Sequence, residues 1–236
     1  ATTVTTTDSL ATFSGTLNGG QNVVVTTGTG GATFTGIVGG STALTSLLTT
    51  GTTGAIIIGG NISTTGAQTY TGPVTFNSDI ALGITGGNDA DDLSFTDTVT
   101  ATADSLDINV ATGGDVTFGD GTGTDTVSGI NALTTNANVI TVNTPITAAS
   151  IVFEGANTTG DQLTIASTGS LSATGLVTIG AANDTTEIET ISASGNITAD
   201  SDNTGTENLS ILSNASGNTD FTFAASGLSL NSGTGT

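Results

Sequence analysis

Ala32-Thr33-Phe34-Thr35-Gly36-Ile37 alternates apolar side chains with hydroxyl-bearing or small ones, and the same period of two returns in Leu163-Thr164-Ile165, Leu209-Ser210-Ile211, Phe221-Thr222-Phe223 and Leu228-Ser229-Leu230. Successive side chains of a strand point to opposite faces, so this pattern, rich in β-branched residues, marks strands that are buried on one side and wet on the other. No segment keeps an apolar stripe at i, i+3, i+4 and i+7, and Gly or Asn breaks every window long enough for a helix. The chain reads as all-β, a single elongated domain over residues 1–236.

A sandwich and a solenoid both repeat short strands, and a longer period separates them. Triplets ending in Phe recur as Ala11-Thr12-Phe13, Ala32-Thr33-Phe34, Val74-Thr75-Phe76, Leu93-Ser94-Phe95 and Val116-Thr117-Phe118. Their intervals are close to one another except between Phe34 and Phe76, where the step is about double. That long step is bisected by Ala55-Ile56-Ile57-Ile58. Beyond Phe118 the rhythm loosens to Phe153, Ile179 and Phe221. Weaker matches join Gly30-Gly31-Ala32-Thr33-Phe34 to Gly113-Gly114-Asp115-Val116-Thr117-Phe118, and Leu47-Leu48-Thr49-Thr50 to Ala132-Leu133-Thr134-Thr135. A coil of roughly 20 residues is one rung of a parallel β-helix, stacked on the next at about 4.8 Å. About eleven such rungs make a rod on the order of 50 Å long. A thin core also suits an apolar content of only 35%. The alternative, a β-sandwich of pilin-like or immunoglobulin-like type, calls for more aromatic residues and more hairpin turns than Asn18-Gly19 and Asp120-Gly121.

The stretch Gly60-Asn61-Ile62-Ser63-Thr64-Thr65-Gly66-Ala67-Gln68-Thr69-Tyr70-Thr71-Gly72-Pro73-Val74-Thr75-Phe76, preceded by Leu48-Thr49-Thr50-Gly51-Thr52-Thr53-Gly54, resembles the β-strand repeats of large bacterial surface proteins of the filamentous-haemagglutinin and autotransporter-passenger type. The resemblance covers residues 23 to 82 well and the remainder in style. It implies a right-handed parallel β-helix exported to the cell surface, and it brings no catalytic residues with it.

Charge excludes whole classes of function. The chain has no Lys, Arg or His against 20 Asp and Glu, a formal charge of −20. Nucleic acid and anionic membrane surfaces are recognised through cationic side chains, so neither is an expected partner. General acid–base catalysis at neutral pH relies mostly on His, Lys or a tuned carboxylate, and here only carboxylates and Tyr70 remain. The chain is therefore read as no enzyme. Cys and Met are also missing, so no sulfur can be oxidised or bridged. A chain without reactive or trypsin-cleavable side chains suits a long life at the cell surface or outside the cell. No apolar run approaches the length of a membrane span, roughly 18 residues or more. Its start at Ala1 is read as a processed product or a piece of something longer.

Acidic residues gather in Gly- and Asn-rich segments, where hard oxygens on loops can take Ca²⁺. The candidate ligands are Asp89, Asp91 and Asp92 in one segment and Asp200, Asp202, Thr204 and Glu207 in another. The run Asp200-Ser201-Asp202-Asn203-Thr204-Gly205 has the opening spacing of a calcium loop, but Ile211 stands where the bidentate Glu belongs. Candidate self-association residues are Ala1, Thr2, Thr3, Val4, Thr5, Thr6 and Thr7, an uncapped strand sequence of high β-propensity. The functional expectation is an extracellular, fibre-forming or cell-surface structural protein that joins itself end to end or joins flanking parts of a larger surface protein. The alternative is an adhesin segment whose side faces bind glycans or host surfaces.

Overall fold

The computed structural model describes residues 1–51, 53–156, 160–180, 188–202, 208–212, 220–223 and 230–231. Its strands are β1 (Thr2–Thr5), β2 (Ala11–Phe13), β3 (Asn22–Gly28), β4 (Ala32–Phe34), β5 (Ser46–Gly51), β6 (Ile56–Ile58), β7 (Ile62–Thr64), β8 (Gln68–Thr71), β9 (Val74–Phe76), β10 (Ile80–Ile84), β11 (Leu93–Phe95) and β12 (Val99–Val110). They continue as β13 (Val116–Phe118), β14 (Val127–Ala137), β15 (Val139–Val142), β16 (Pro145–Gly155), β17 (Gln162–Ile165), β18 (Ser170–Ala173), β19 (Val177–Ile179), β20 (Thr190–Ala193), β21 (Ile197–Thr198), β22 (Leu209–Ile211), β23 (Asp220–Phe223) and β24 (Leu230–Asn231). Among the described residues there is no helix.

Every strand pairing is parallel, and partners lie one coil apart in sequence, which makes the chain a parallel β-helix. Ten strands stack in the first sheet, in the order β1-β3-β5-β8-β11-β13-β15-β17-β20-β23. The second sheet stacks β2-β4-β6-β9-β12-β14-β16-β18-β21-β24, and β7, β10, β19 and β22 add a third column beside it. The long strands β12, β14 and β16 run through both columns and bend between them, at register shifts near Asp104 and between Val127 and Ile130. Gly129 makes one of these bends at φ +73°, where a Cβ would lie 2.0 Å from the Ala101 carbonyl oxygen. At nine steps of about 4.8 Å the first sheet is about 43 Å long.

The coils are unequal in length. Thr2 faces Val23 and Leu47 faces Gln68 across short coils, whereas Leu163 faces Ile191 across a longer one. The extra length enters between the third column and the next strand of the first sheet. Residues 65–67 connect β7 to β8, and residues 85–92 connect β10 to β11.

Parallel pairing in register places like over like. Inside the first sheet, buried Val23, Leu47, Gln68, Leu93, Val116, Ile140, Leu163 and Ile191 form one column. Val25, Thr49, Tyr70, Phe95, Phe118, Val142, Ile165 and Ala193 form the next. Tyr70, Phe95 and Phe118 stack with centroids 5.2 and 5.9 Å apart, and Phe76 of the second sheet meets Phe95 edge-on at 6.2 Å. Each such pair adds about 0.5–1.5 kcal/mol beyond its buried area.

The Phe spacing read from the sequence thus mixes two columns. Phe13, Phe34, Ile58 and Phe76 are true neighbours in the second sheet, with Ile58 filling the place of a missing Phe. Phe95 and Phe118 belong to the first sheet instead. The matches of Phe34 to Phe118, and of Leu48 to Leu133, likewise join residues of different columns. Phe153 and Ile179 do face each other, but Phe221 pairs with Ile191 in the first sheet.

One polar network interrupts the apolar interior. The Tyr70 hydroxyl donates to Gln68 Oε1 at 2.8 Å, and Gln68 Nε2 donates to Thr64 Oγ1 at 3.2 Å and to the Gly83 carbonyl at 2.9 Å. Burial pushes the Tyr70 phenol far above its ordinary pKa, so it stays a donor at any physiological pH. By contrast, the buried hydroxyls of Thr27, Thr49 and Thr135 have no hydrogen-bond partner among the described residues.

Phe118 touches Phe95 and Phe153 on the two sides of the stack. Phe118→Ala is expected to lower the unfolding free energy by about 3–5 kcal/mol, and Phe118→Leu by clearly less. Urea unfolding of the two variants measures the difference.

Candidate functional site

Most carboxylates of the described residues sit at corners between strands, Asp104, Asp107, Glu154 and Asp220 being the ones within strands, and the backbone explains why. Where the chain turns into a strand of the first sheet, amide N–H groups point out of the ladder and need acceptors. Asp92, Asp115, Asn138, Asp161 and Glu189 each stand immediately before one of those strands. Asp92 Oδ1 accepts the Asp115 amide at 3.0 Å, and Asp115 Oδ1 accepts the Val139 amide at 3.1 Å and the Asn138 side-chain amide at 3.2 Å. Other corners repeat the device. Asn18 accepts the Ser41 amide, Asn61 the Ala81 amide and Asp79 the Ser105 amide, all at 2.8–2.9 Å. One coil's carboxylate or amide oxygen thereby holds the backbone of the next.

Of the candidate calcium ligands, Asp89, Asp91 and Asp92 share one corner ahead of β11, and Asp115 of the next coil joins them there. Asp91 Oδ2 is held by the Asn88 backbone and side-chain amides at 3.1 and 2.9 Å. Asp200 and Asp202 lie at a different corner, after β21. Asp200 is fully buried at φ +49°, and its amide donates to the Gly175 carbonyl at 3.0 Å, whereas Asp202 is exposed. Thr204 and Glu207 lie outside the described residues. Among the described residues no three Asp or Glu side chains are grouped to hold a metal ion. Ca²⁺ also takes carbonyl, amide and hydroxyl oxygens, which the acidic corners supply beside their carboxylates.

A second acidic corner carries a groove of about 320 Å³, lined by Gly121, Thr122, Gly123, Thr124, Asp125, Thr126, Asn143, Thr144, Pro145 and Thr168. Asp120 Oδ1 accepts the Thr122 amide at 2.7 Å and its hydroxyl at 2.8 Å, which holds the Asp120 carboxyl below its ordinary value. Thr144 donates to the Asp125 carbonyl. Burial, and then the charges of Asp97 and Asp120, raise the Asp125 carboxyl.

Of the candidate self-association residues, Thr2, Thr3, Val4 and Thr5 form β1 and pair in register with Val23–Thr26 of β3. The outer edge of β1 meets no other strand among the described residues, and β2 likewise pairs only with β4. Thr6 continues the pairing by donating its amide to the Thr26 carbonyl at 2.8 Å. Ala1 and Thr7 flank this edge and are exposed.

One surface feature escaped the sequence reading. The outward positions of the first sheet align as Thr3, Val24, Leu48, Thr69, Ser94, Thr117, Thr141, Thr164, Ser192 and Thr222. Beside them runs a second row that opens Thr5, Thr26, Thr50 and Thr71. Neither row contains a carboxylate among the described residues. The signal was present in each apolar-hydroxyl-apolar triplet, such as Val116-Thr117-Phe118, whose centre is the outward residue. Unequal coils hid the alignment, because the step from Thr164 to Ser192 is longer than the step from Thr117 to Thr141.

Comparison of this chain with protein family models, with curated proteins and with solved structures gave no match.

The titration of the corners is testable. Burial raises the Asp115 carboxyl; the Asn138 hydrogen bond lowers it, the charge of Asp92 raises it, the Val139 hydrogen bond lowers it and the charge of Asp89 raises it, for a net rise. A carboxyl raised by folding binds its proton more tightly in the native chain than in the unfolded one. That contribution to stability is full below the ordinary value of 3.8 and is lost as pH climbs through the raised value. Asp125 acts in the same sense and Asp120 in the opposite one. The melting temperature is expected to rise as pH falls from about 7 toward about 4. Asp115→Asn keeps the oxygen that accepts from Asn138 and Val139 and removes the charge. After solvent screening of this partly buried group, the variant is expected to melt about 1–2 °C above the wild type at neutral pH and to match it near pH 4. Calorimetric melts across that range measure both effects.

Proposed function

We propose that this chain is a structural segment of an extracellular fibre or cell-surface protein and acts by self-association. The observation that carries the reading is the open outer edge of the first coil, where β1 and β2 are each bonded on one side only among the described residues. Such an edge is a template for a further strand. Thr2-Thr3-Val4-Thr5 has high β-propensity and carries neither Pro nor charge, the two devices that usually block strand addition. The strand it accepts comes from a second copy, which builds an end-to-end polymer, or from a flanking coil of a longer surface protein. The lack of Cys, Met, Lys and Arg supports a long-lived extracellular setting.

Deleting residues 1–7 is expected to abolish filaments seen by negative-stain imaging while leaving the β circular-dichroism spectrum largely unchanged. A full chain that stays a monodisperse monomer at high concentration, with Ca²⁺ present, would falsify the subunit reading. The groove beside Asp125, with hydroxyls at Thr122, Thr124, Thr126, Thr144 and Thr168, favours a second reading. In that reading the chain is an adhesin segment that meets glycans through its side faces, and the monomer outcome selects it.

Ca²⁺ is the proposed cofactor. Stacking sets carboxylates such as Asp92 and Asp115 one coil apart with no cationic side chain to offset them. Millimolar Ca²⁺ is therefore expected to raise the melting temperature more than Na⁺ at matched ionic strength does. Equal shifts from the two salts would reduce the ion's role to screening.

A further inference from the structure

We infer that the outward face of the first sheet is a lateral docking surface for a second copy of this chain, pairing two rods side by side with their coils running the same way. The inference rests on the self-association reading and adds to the end-to-end contact a contact along the length. Charge selects the surface. Two chains of formal charge −20 repel wherever carboxylates meet, and no Lys, Arg or His is available on either to offset them. A second copy can therefore approach closely only where both surfaces are free of carboxylates, and two adjoining outward rows of the first sheet, the one through Thr117 and the one that opens Thr5, Thr26, Thr50 and Thr71, meet that condition, with Asp220 of β23 on the neighbouring row at the last coil.

Shape separates this sheet from the second one. The second sheet also shows outward hydroxyls, but its long strands β12, β14 and β16 bend at register shifts into the third column, where Asp107 and Glu154 occupy outward positions. The first sheet keeps short strands whose register shifts once, between Thr26 and Gly28. It also leaves Leu48 37% exposed on the row, an apolar side chain that gains by being covered.

The area sets the strength. A face about 43 Å long and about 13 Å wide buries on the order of 1,100 Å² over both partners. That is the low end of specific interfaces, so the pairing is weak and reversible. Orientation follows from the acidic corner. Asp92 and Asp115 stand along one long edge of the face, immediately before their strands. Turning one rod end for end would set the two acidic edges together across a gap of about 10 Å, close to the screening length of physiological salt. Rotation about the long axis sets them on opposite sides, and this is the arrangement that repulsion leaves.

Sedimentation velocity of the full chain is expected to show a dimer that strengthens as NaCl rises from about 0.02 M to about 0.5 M, because salt relieves repulsion between like-charged rods. Thr117→Glu, which places a carboxylate mid-face, is expected to weaken the dimer at least tenfold with filaments retained. Deleting residues 1–7 is expected to do the reverse, which separates failure of the lateral contact from failure of the end contact. The chain has no cysteine, so single-cysteine variants report the geometry without depending on the fold's tolerance of Thr117→Glu. With a short bismaleimide, Val24→Cys, Thr117→Cys and Thr164→Cys are each expected to cross-link to themselves, and Asp107→Cys on the third column is not. A dimer unaffected by Thr117→Glu, cross-linking at Thr117→Cys alone, equal cross-linking at Asp107→Cys, or a monomer at every salt concentration would each overturn the proposal.

Discussion

Parallel hydrogen bonding in register is the interaction on which everything else in this chain depends. Each coil's strand bonds to the strand one coil earlier and one coil later, so each side chain is stacked on the residue in register about 4.8 Å above and below it, in most columns one of its own kind. The apolar columns through Val23 and Val25 follow, as does the stack of Tyr70, Phe95 and Phe118. The same rule that makes the core also crowds like charges. A sequence written for this fold must therefore decide, position by position, which residues can stand being stacked on themselves.

The answer for most of the carboxylates is the corner. In a strand, an Asp above an Asp would add repulsion with no compensating bond. At a turn, Asp92 and Asp115 each take a backbone amide of the following coil, so the charge is tied to a donor the turn would otherwise leave free. Corner acids and strand hydroxyls are two halves of one division of labour. It leaves two outward rows of the first sheet without a carboxylate among the described residues, in a chain of formal charge −20.

Much of this was legible in the sequence and some was not. Period-two triplets such as Leu163-Thr164-Ile165 declared strands without ambiguity, because only a strand puts adjacent residues on opposite faces. The solenoid was legible from Phe13 through Phe34 and Ile58 to Phe76, where each coil puts a large apolar residue in the same column of the second sheet. It blurred wherever a longer corner intervened, and Phe95 then fell at nearly the right interval in the wrong sheet. A linear period cannot tell an extra corner residue from a change of column, since both move the next Phe by a few positions. The corner acids were visible as clusters. Their backbone partners were not, because which amide lies above Asp115 depends on the length of the coil that follows it.

The network of Tyr70, Gln68, Thr64 and Gly83 bears on how the coils find their places. Val, Ile and Leu columns are nearly interchangeable, so a coil displaced by one turn of the helix would still bury oil against oil. Gln68 and Tyr70 are not interchangeable with anything above or below them. Between Leu47 and Leu93 the Gln68 amide keeps its bonds only when the third column brings both Thr64 of β7 and the Gly83 carbonyl of β10 beside it. A misthreaded chain would strand a buried amide and a buried phenol, at a penalty of roughly 1–3 kcal/mol for each group. In an otherwise repetitive stack, these few polar atoms act as a page number.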